Sequence, residues 1–151
     1  LAAIHDALLG RGLVDFLQQH EAPRATRAQL ERVHGTGHVD YIFATAPSAG
    51  VEFIDGDTIM TPDTLEAALR AAGALVRATD LVLSGEVRNA FCSVRPPGHH
   101  AGRNEAMGFC FFNNVAVGAA HALVAGVSRV AVLDFDVHHG NGTEDIFAGD
   151  E

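Results

Sequence analysis

The sequence predicts an α/β fold of three layers, a mainly parallel sheet with helices on both faces. Three observations predict it. Residues 90–94 and 129–135 are short, almost wholly apolar runs, as expected of buried parallel strands. Between them lies a stretch rich in Ala and Val that reads as helix, so strand, helix and strand make a right-handed βαβ unit. Upstream, residues 61–83 carry apolar positions at helical spacing with many small residues among them, the pattern of a helix packed closely on a sheet.

The elements follow in order. Ile4, Leu8, Leu13, Phe16 and Leu17 give residues 2–20 a helical period, which Gly10 and Gly12 can divide. A second helix is expected from Thr26, where Gln29 completes a capping box, through Leu30 and Val33 until Gly35 and Gly37 end it. Residues 38–42 read as a short helical piece, and 51–59 as a loop or short strand turning at Gly56. Thr61 followed by Pro62 marks a helix start, with Gly85 as its close. The turn at 95–98 ends the first strand, Asn113 or Asn114 caps the next helix, and Gly126 terminates it.

With 151 residues, nearly half of them apolar, the chain has material for one domain with a real core. Its net charge of -9 argues against a phosphate-backbone partner and suits a cationic substrate. No apolar run approaches the length of a membrane span and no signal peptide is evident, so a cytoplasmic protein is expected. Cys92 and Cys110 both lie in apolar segments and are expected to be reduced thiols. Both ends read as cut, since the chain opens on Leu inside a helical pattern and closes just after a helical turn.

In open parallel sheets, ligands bind beyond the carboxyl ends of the strands. A polar cluster follows each predicted strand. After the second come Asp134, Asp136 and His138, which share one face of an extended segment while Phe135 and Val137 take the other. Two carboxylates and an imidazole converging there suit a divalent metal, zinc or another transition ion before calcium. After the first strand come His99 and His100, aimed by a turn that two prolines stiffen. Their imidazoles suit proton transfer in amide hydrolysis, with Asp134 and Asn141 as available orienting partners. Residues 107–113 hold aromatics in a Gly-bearing loop. They can wall an apolar pocket, while Phe111 and Phe112 are better read as core plugs. His5, His20, His34 and His121 have no clustered partners in the sequence and read as surface or structural.

Taken together, Arg-Pro-Pro-Gly-His-His-Ala at 95–101, Gly-Phe-Cys-Phe-Phe-Asn at 108–113 and Asp-Phe-Asp-Val-His-His-Gly-Asn-Gly-Thr at 134–143 resemble the histone deacetylase superfamily. The form is that of class II deacetylases and of bacterial deacetylase-like and acetylpolyamine amidohydrolases. The resemblance implies an arginase/deacetylase-like fold and zinc-dependent hydrolysis of an acetylated amine. It makes residues 1–151 the N-terminal part of one catalytic domain. By position, Asp136 and His138 match two zinc ligands. His100 matches the general base and acid, His99 an electrostatic helper, Asp134 the carboxylate orienting His99, and Asn141 the partner of His100. Gly108 and Phe109 match a wall of the substrate channel and Asp57 a substrate-backbone contact. Asp134 and Phe147 match ligands of structural potassium or another monovalent cation.

The resemblance also implies a third zinc ligand, an Asp, and an oxyanion Tyr in later motifs that these residues do not contain. Tyr41, the sole tyrosine, falls in a different part of the family pattern. The 151-residue chain is accordingly expected to be catalytically silent, with a sheet edge and apolar surface left uncovered. Acetyl-lysine in a protein or peptide is the first substrate reading, and a small acetylated amine such as an acetylpolyamine the second. Homo-oligomerisation is compatible with both. A reading of another class is a short protein that binds a metal or partner without catalysis.

Overall fold

The structure is a computed structural model that describes residues 1–150. Its element order is α1 (Ala2–Gly10), a 3-10 turn (Val14–Phe16), α2 (Arg27–Leu30), α3 (Thr36–Thr45), β1 (Glu52–Phe53), β2 (Ile59–Met60), α4 (Thr64–Leu83), α5 (Asn114–Val124) and α6 (Asn141–Phe147).

The core forms where α4 and α5 pack together. Both helices bury small residues: Ala68, Ala71 and Ala72 on α4, and Ala116, Gly118 and Ala119 on α5. A Cβ on Gly118 would lie 3.1 Å from the Leu75 Cβ, so the helices approach as closely as their side chains allow. Leu30, Val39, Ile42, Met60, Leu69, Phe112 and Val117 close the cluster, bringing α2, α3 and the β2 end onto the helix pair. On the opposite side of α4, the Ala25 N–H donates to the Leu69 carbonyl at 2.9 Å, and Arg70 Nη1 donates to the Ala22 carbonyl at 2.8 Å.

Several sequence expectations shift by a turn, each for a local reason. The helix read over 2–20 stops at Gly10; Gly12 turns left-handed (φ +65), and no residue of α1 is buried to hold a longer helix. The Thr26–Gln29 capping box forms with both bonds, Thr26 N–H to Gln29 Oε1 at 2.8 Å and Gln29 N–H to Thr26 Oγ1 at 3.3 Å. The helix it opens nevertheless lasts only to Leu30. Gly35 does not end that helix but caps the start of α3, which absorbs residues 38–42. The helix expected from Pro62 begins at Thr64. The Thr64 hydroxyl takes the Thr61 N–H at 2.8 Å, and this local turn replaces the first helical bonds. Residues 51–59 contribute to an antiparallel hairpin pairing Glu52 with Met60 and Phe53 with Ile59.

The two segments read as interior strands, 90–94 and 129–135, carry no ladder hydrogen bonds among the described residues; the hairpin is the sheet there. A parallel strand is stable only between neighbours, and neither segment pairs with the other. The side chains of Leu133 (87% exposed), Phe135 (94%) and Val137 (92%) therefore stand in the open, as expected of an uncovered sheet edge. α5 lies between the two segments in sequence, but among the described residues neither is a strand, so the expected strand–helix–strand unit is not formed. Among the described residues no helix is long and apolar enough to cross a membrane.

Gly73 sits where α4 meets the 23–25 segment; a Cβ there would run into the Pro23 carbonyl oxygen and come within 2.8 Å of the Ala25 nitrogen. In a free helix Ala is favoured over Gly by about 1 kcal/mol, whereas forcing a methyl into a packed backbone contact costs roughly 1–3 kcal/mol. Gly73→Ala is therefore expected to lower the urea midpoint despite the better helix former. A raised midpoint would show that the 23–25 segment yields freely.

Candidate active site

The loop from Pro96 to Phe112 carries the tandem histidines, and its backbone is anchored at successive points. The Ala101 carbonyl accepts from Asn113 Nδ2 at 3.1 Å and the Gly102 carbonyl from His34 Nδ1 at 2.9 Å. The Arg103 carbonyl accepts from the Gly35 N–H at 2.9 Å. Further on, the Phe111 carbonyl accepts from His38 Nε2 at 2.9 Å, and the Asn113 N–H donates to His34 Nε2 at 2.9 Å. His34 therefore receives a proton at Nε2 and gives one from Nδ1, so its neutral tautomer is fixed by its partners. Burial, and then the neighbouring His38, push its pKa from 6.5 down to about 4; burial lowers His38 as well. The two rings lie 5.0 Å apart and pack on Phe112. Phe111 and Phe112 are buried, as expected of core plugs.

The second segment, 134–142, docks against the first from the other side. Asp134 accepts the Asp136 N–H at 3.1 Å and Asp136 the His138 N–H at 2.8 Å, so each carboxylate folds back over the residue two along. Those bonds hold both carboxylates below the usual aspartate range, with the His99 hydrogen bond the largest cause at Asp134 and the His138 N–H at Asp136. Gly140 and Gly142 are required by contact. A Cβ on Gly140 would collide with Asp134 Oδ2, and one on Gly142 would come within 2.5 Å of the His100 carbonyl carbon. Gly142 N–H and Thr143 N–H, in the first turn of α6, both donate to the His99 carbonyl, at 3.0 and 3.2 Å.

The docking sets up two dyads. His99 Nδ1 meets Asp134 Oδ2 at 2.8 Å, and His100 Nδ1 meets Asn141 Oδ1 at 2.7 Å. The two imidazoles lie 4.1 Å apart between ring centroids, with the His138 ring 6.0 Å from that of His100. His138 Nδ1 and Asp136 Oδ1 face each other at 3.0 Å. Among the described residues no third His, Cys, Asp or Glu joins them in a metal-sized cluster.

Beside His100 opens a cleft of about 450 Å³ lined by Asp55, Gly56, Asp57, Met107 and Gly108. Gly108 has φ +56 and lies flat on the His100 ring; a Cβ would come within 2.5 Å of the His100 Cδ2. Phe109 follows at φ +64, unusual for a residue with a side chain, and stays 54% exposed. Of the residues expected to act, His99, His100, Asp134, Asp136, His138 and Asn141 thus come together, with Asp57 and Gly108 lining the cleft at His100. Phe147 lies elsewhere, packed against the core. Cys92 and Cys110 are free thiols, and burial raises both, Cys110 to about 11.

The chain matches the histone deacetylase domain over residues 1–151. The chain belongs to the histone deacetylase family. It is 45% identical over 137 residues to the histone deacetylase-like amidohydrolase of Pseudomonas aeruginosa, covering 90% of this chain and 36% of that protein. It is 38% identical over 162 residues to the polyamine deacetylase HDAC10 of Rattus norvegicus, covering 99% of this chain and 26% of that one. The solved HDA15 HD domain superposes with a TM-score of 0.95 at 38% identity, over 99% of this chain and 42% of that domain. The fold is therefore the deacetylase α/β fold. The chain spans 36% or less of the length of these two relatives.

Two histidines placed apart from any cluster by their sequence positions prove to be partnered. His34 is the buried brace just described, and its i,i+4 spacing from His38 was the available sign. His121 bridges helices, with Nε2 on Asp80 Oδ1 at 2.7 Å and Nδ1 on Arg32 at 2.7 Å. His5 and His20 are exposed, as expected.

His34 makes the fold of this deacetylase segment sensitive to acid. Its folded pKa lies below its unfolded value, so the unfolded chain binds the extra proton. The stabilisation is whole above pH 6.5 and is lost as pH falls toward 4. Over that window the shift is worth roughly 2–3 kcal/mol. Urea unfolding at pH 7 and pH 4.5 is expected to show that loss. In His34→Gln the gap between the two pH values should narrow by a similar amount; an unchanged gap would assign the acid sensitivity elsewhere.

Proposed function

We propose that this chain supplies the proton-transfer dyads and two zinc ligands of an amidohydrolase that removes the acetyl group from an acetylated amine, acetyl-lysine in a protein or peptide first. One observation carries the reading: adjacent imidazoles 4.1 Å apart, each held at Nδ1 by a different acceptor, beside a facing Asp–His donor pair.

An amide oxygen only accepts, so the His100 Nδ1 bonded to Asn141 Oδ1 carries its hydrogen and leaves Nε2 with a lone pair. Asn141 Nδ2 points to Met107 Sδ at 3.4 Å, which supports that amide orientation. His100 Nε2 is then the general base that takes a proton from the attacking water and returns it to the leaving amine nitrogen. Acetate and the free amine result. His99, backed by the Asp134 carboxylate, adds electrostatic support beside it. Asp136 and His138 fit zinc by donor type, one carboxylate and one neutral imidazole. When bound, the ion polarises the acetyl carbonyl and makes a water more acidic. Gly108 and Phe109 would wall the acyl channel and Asp57 would contact the substrate backbone, while Asp134 would help hold a structural potassium ion and Phe147 a second monovalent cation.

A second substrate reading is an acetylated polyamine. The relative named a polyamine deacetylase and the carboxylates of Asp55 and Asp57 at the cleft favour it, because carboxylates attract a cationic chain.

The complete gene product, loaded with zinc, is expected to release acetate from an acetyl-lysine peptide or from acetylputrescine, and the ratio of kcat/KM ranks the two. His100→Ala should lower kcat by about 10²–10⁴, and His138→Ala should weaken zinc retention in dialysis. Zinc-loaded protein that releases no acetate from either compound, or His100→Ala at full activity, would overturn the reading.

A further inference from the structure

Thr58 is fully buried beside Asp57, which lines the cleft, and the Gly108–Phe109 turn, whose Gly108 lines it too; nothing in the tandem-histidine chemistry uses it. Its backbone is fixed by the hairpin turn: its N–H donates to Asp55 Oδ1 at 2.7 Å, and its carbonyl accepts from the Ile54 N–H at 2.8 Å. Its hydroxyl is engaged on both sides. Thr58 Oγ1 donates to Asp57 Oδ1 at 3.0 Å and accepts from the Phe109 N–H at 3.0 Å. The second bond spans 51 residues of sequence and joins the Asp57 loop to the Phe109 loop.

The partner it holds needs holding. Phe109 stands at φ +64 immediately after Gly108 at φ +56, and a side-chain-bearing residue leaves that region unless its surroundings fix it there. The Cys110 N–H to Met107 carbonyl bond, 2.9 Å, closes the loop upon itself but ties it to no other element. Thr58 ties the Phe109 backbone to Asp57 through one hydroxyl.

We propose that Thr58 is a positioning residue, whose hydroxyl locks Asp57 and the Gly108–Phe109 turn, the two sides of the cleft, at a fixed separation so that the cleft is ready-made for substrate. The proposal rests on reading that cleft as the substrate channel. Pre-setting two walls acts on binding, because the unlocked cleft spends part of its interaction with substrate on ordering itself.

Two substitutions separate the lock from plain packing. Thr58→Val keeps the shape and removes the hydroxyl, leaving the Phe109 N–H without its acceptor; Thr58→Ser keeps the hydroxyl and removes a buried methyl. With zinc-loaded complete gene product and an acetyl-lysine peptide or acetylputrescine, Thr58→Val should raise KM about tenfold with kcat little changed, the pattern of lost binding common to ground and transition states. Thr58→Ser should stay near wild type. Amide exchange at Phe109 should quicken in Thr58→Val and not in Thr58→Ser, while exchange along α5 stays the same in both. A residue that only fills space gives the reverse ranking, with Ser the worse variant, and that ranking overturns the proposal. So does a Phe109 amide whose exchange ignores the valine. Wild-type protein that turns over neither substrate defeats the functional reading, and the exchange comparison then decides the lock by itself.

Discussion

Asn113 is the residue on which the site depends, because its one side chain satisfies three elements at once. Its Oδ1 caps α5 through the Ala116 N–H, while its Nδ2 donates both to the Ala101 carbonyl and to Thr143 Oγ1. The core helix, the histidine loop and the first turn of α6 therefore meet on a single fully buried amide. A buried amide leaves no polar atom idle without cost, so the three elements can hold only one mutual arrangement. His34 repeats the device one residue away, accepting the Asn113 N–H and donating to Gly102. Loops need not be loose: this one is irregular in path, yet almost every backbone group along 101–103 has a named partner.

From that frame the geometry of the site follows. Once Ala101 to Arg103 are pinned, the preceding His99 and His100 have little backbone freedom, and the α6 amides fix the His99 carbonyl as well. The glycines at 108, 140 and 142 allow the remaining approach, each facing a site residue or its backbone so closely that a methyl group does not fit. The cleft is thus the space left when three loops are brought nearer than side chains ordinarily permit.

The sequence shows the site more clearly than the fold. The period-two spacing of Asp134, Asp136 and His138 survives as carboxylates turned back over N–H groups two residues along. The candidates for orienting the histidines, Asp134 and Asn141, are both used, one for each ring. What is hidden is whatever depends on distant pairing. No local pattern announces that the Thr58 hydroxyl reaches Phe109, or that His34 holds Asn113 from 79 residues away. Helix ends slip for the same reason: at Thr64 a side-chain turn competes with the helix, and at α1 nothing packs against the apolar period to extend it. The apolar runs at 90–94 and 129–135 read as interior strands, but among the described residues neither finds a ladder partner, since strand pairing rests on neighbours that a local pattern does not supply.

The dyads have a consequence for how the site is lost. They join residues 35 and 41 apart in sequence, so neither can form until a long loop has closed. Helix α4 and helix α5 close a loop of comparable length, Leu75 against Gly118, but a buried small-residue seam holds them, whereas residues 134–139 are exposed. A molecule with that pair docked and residues 134–142 still unseated has its scaffold but no aimed imidazole. Proton transfer therefore depends on the seating of residues 134–142, and an opening confined to that segment removes it while the helix pair stays docked.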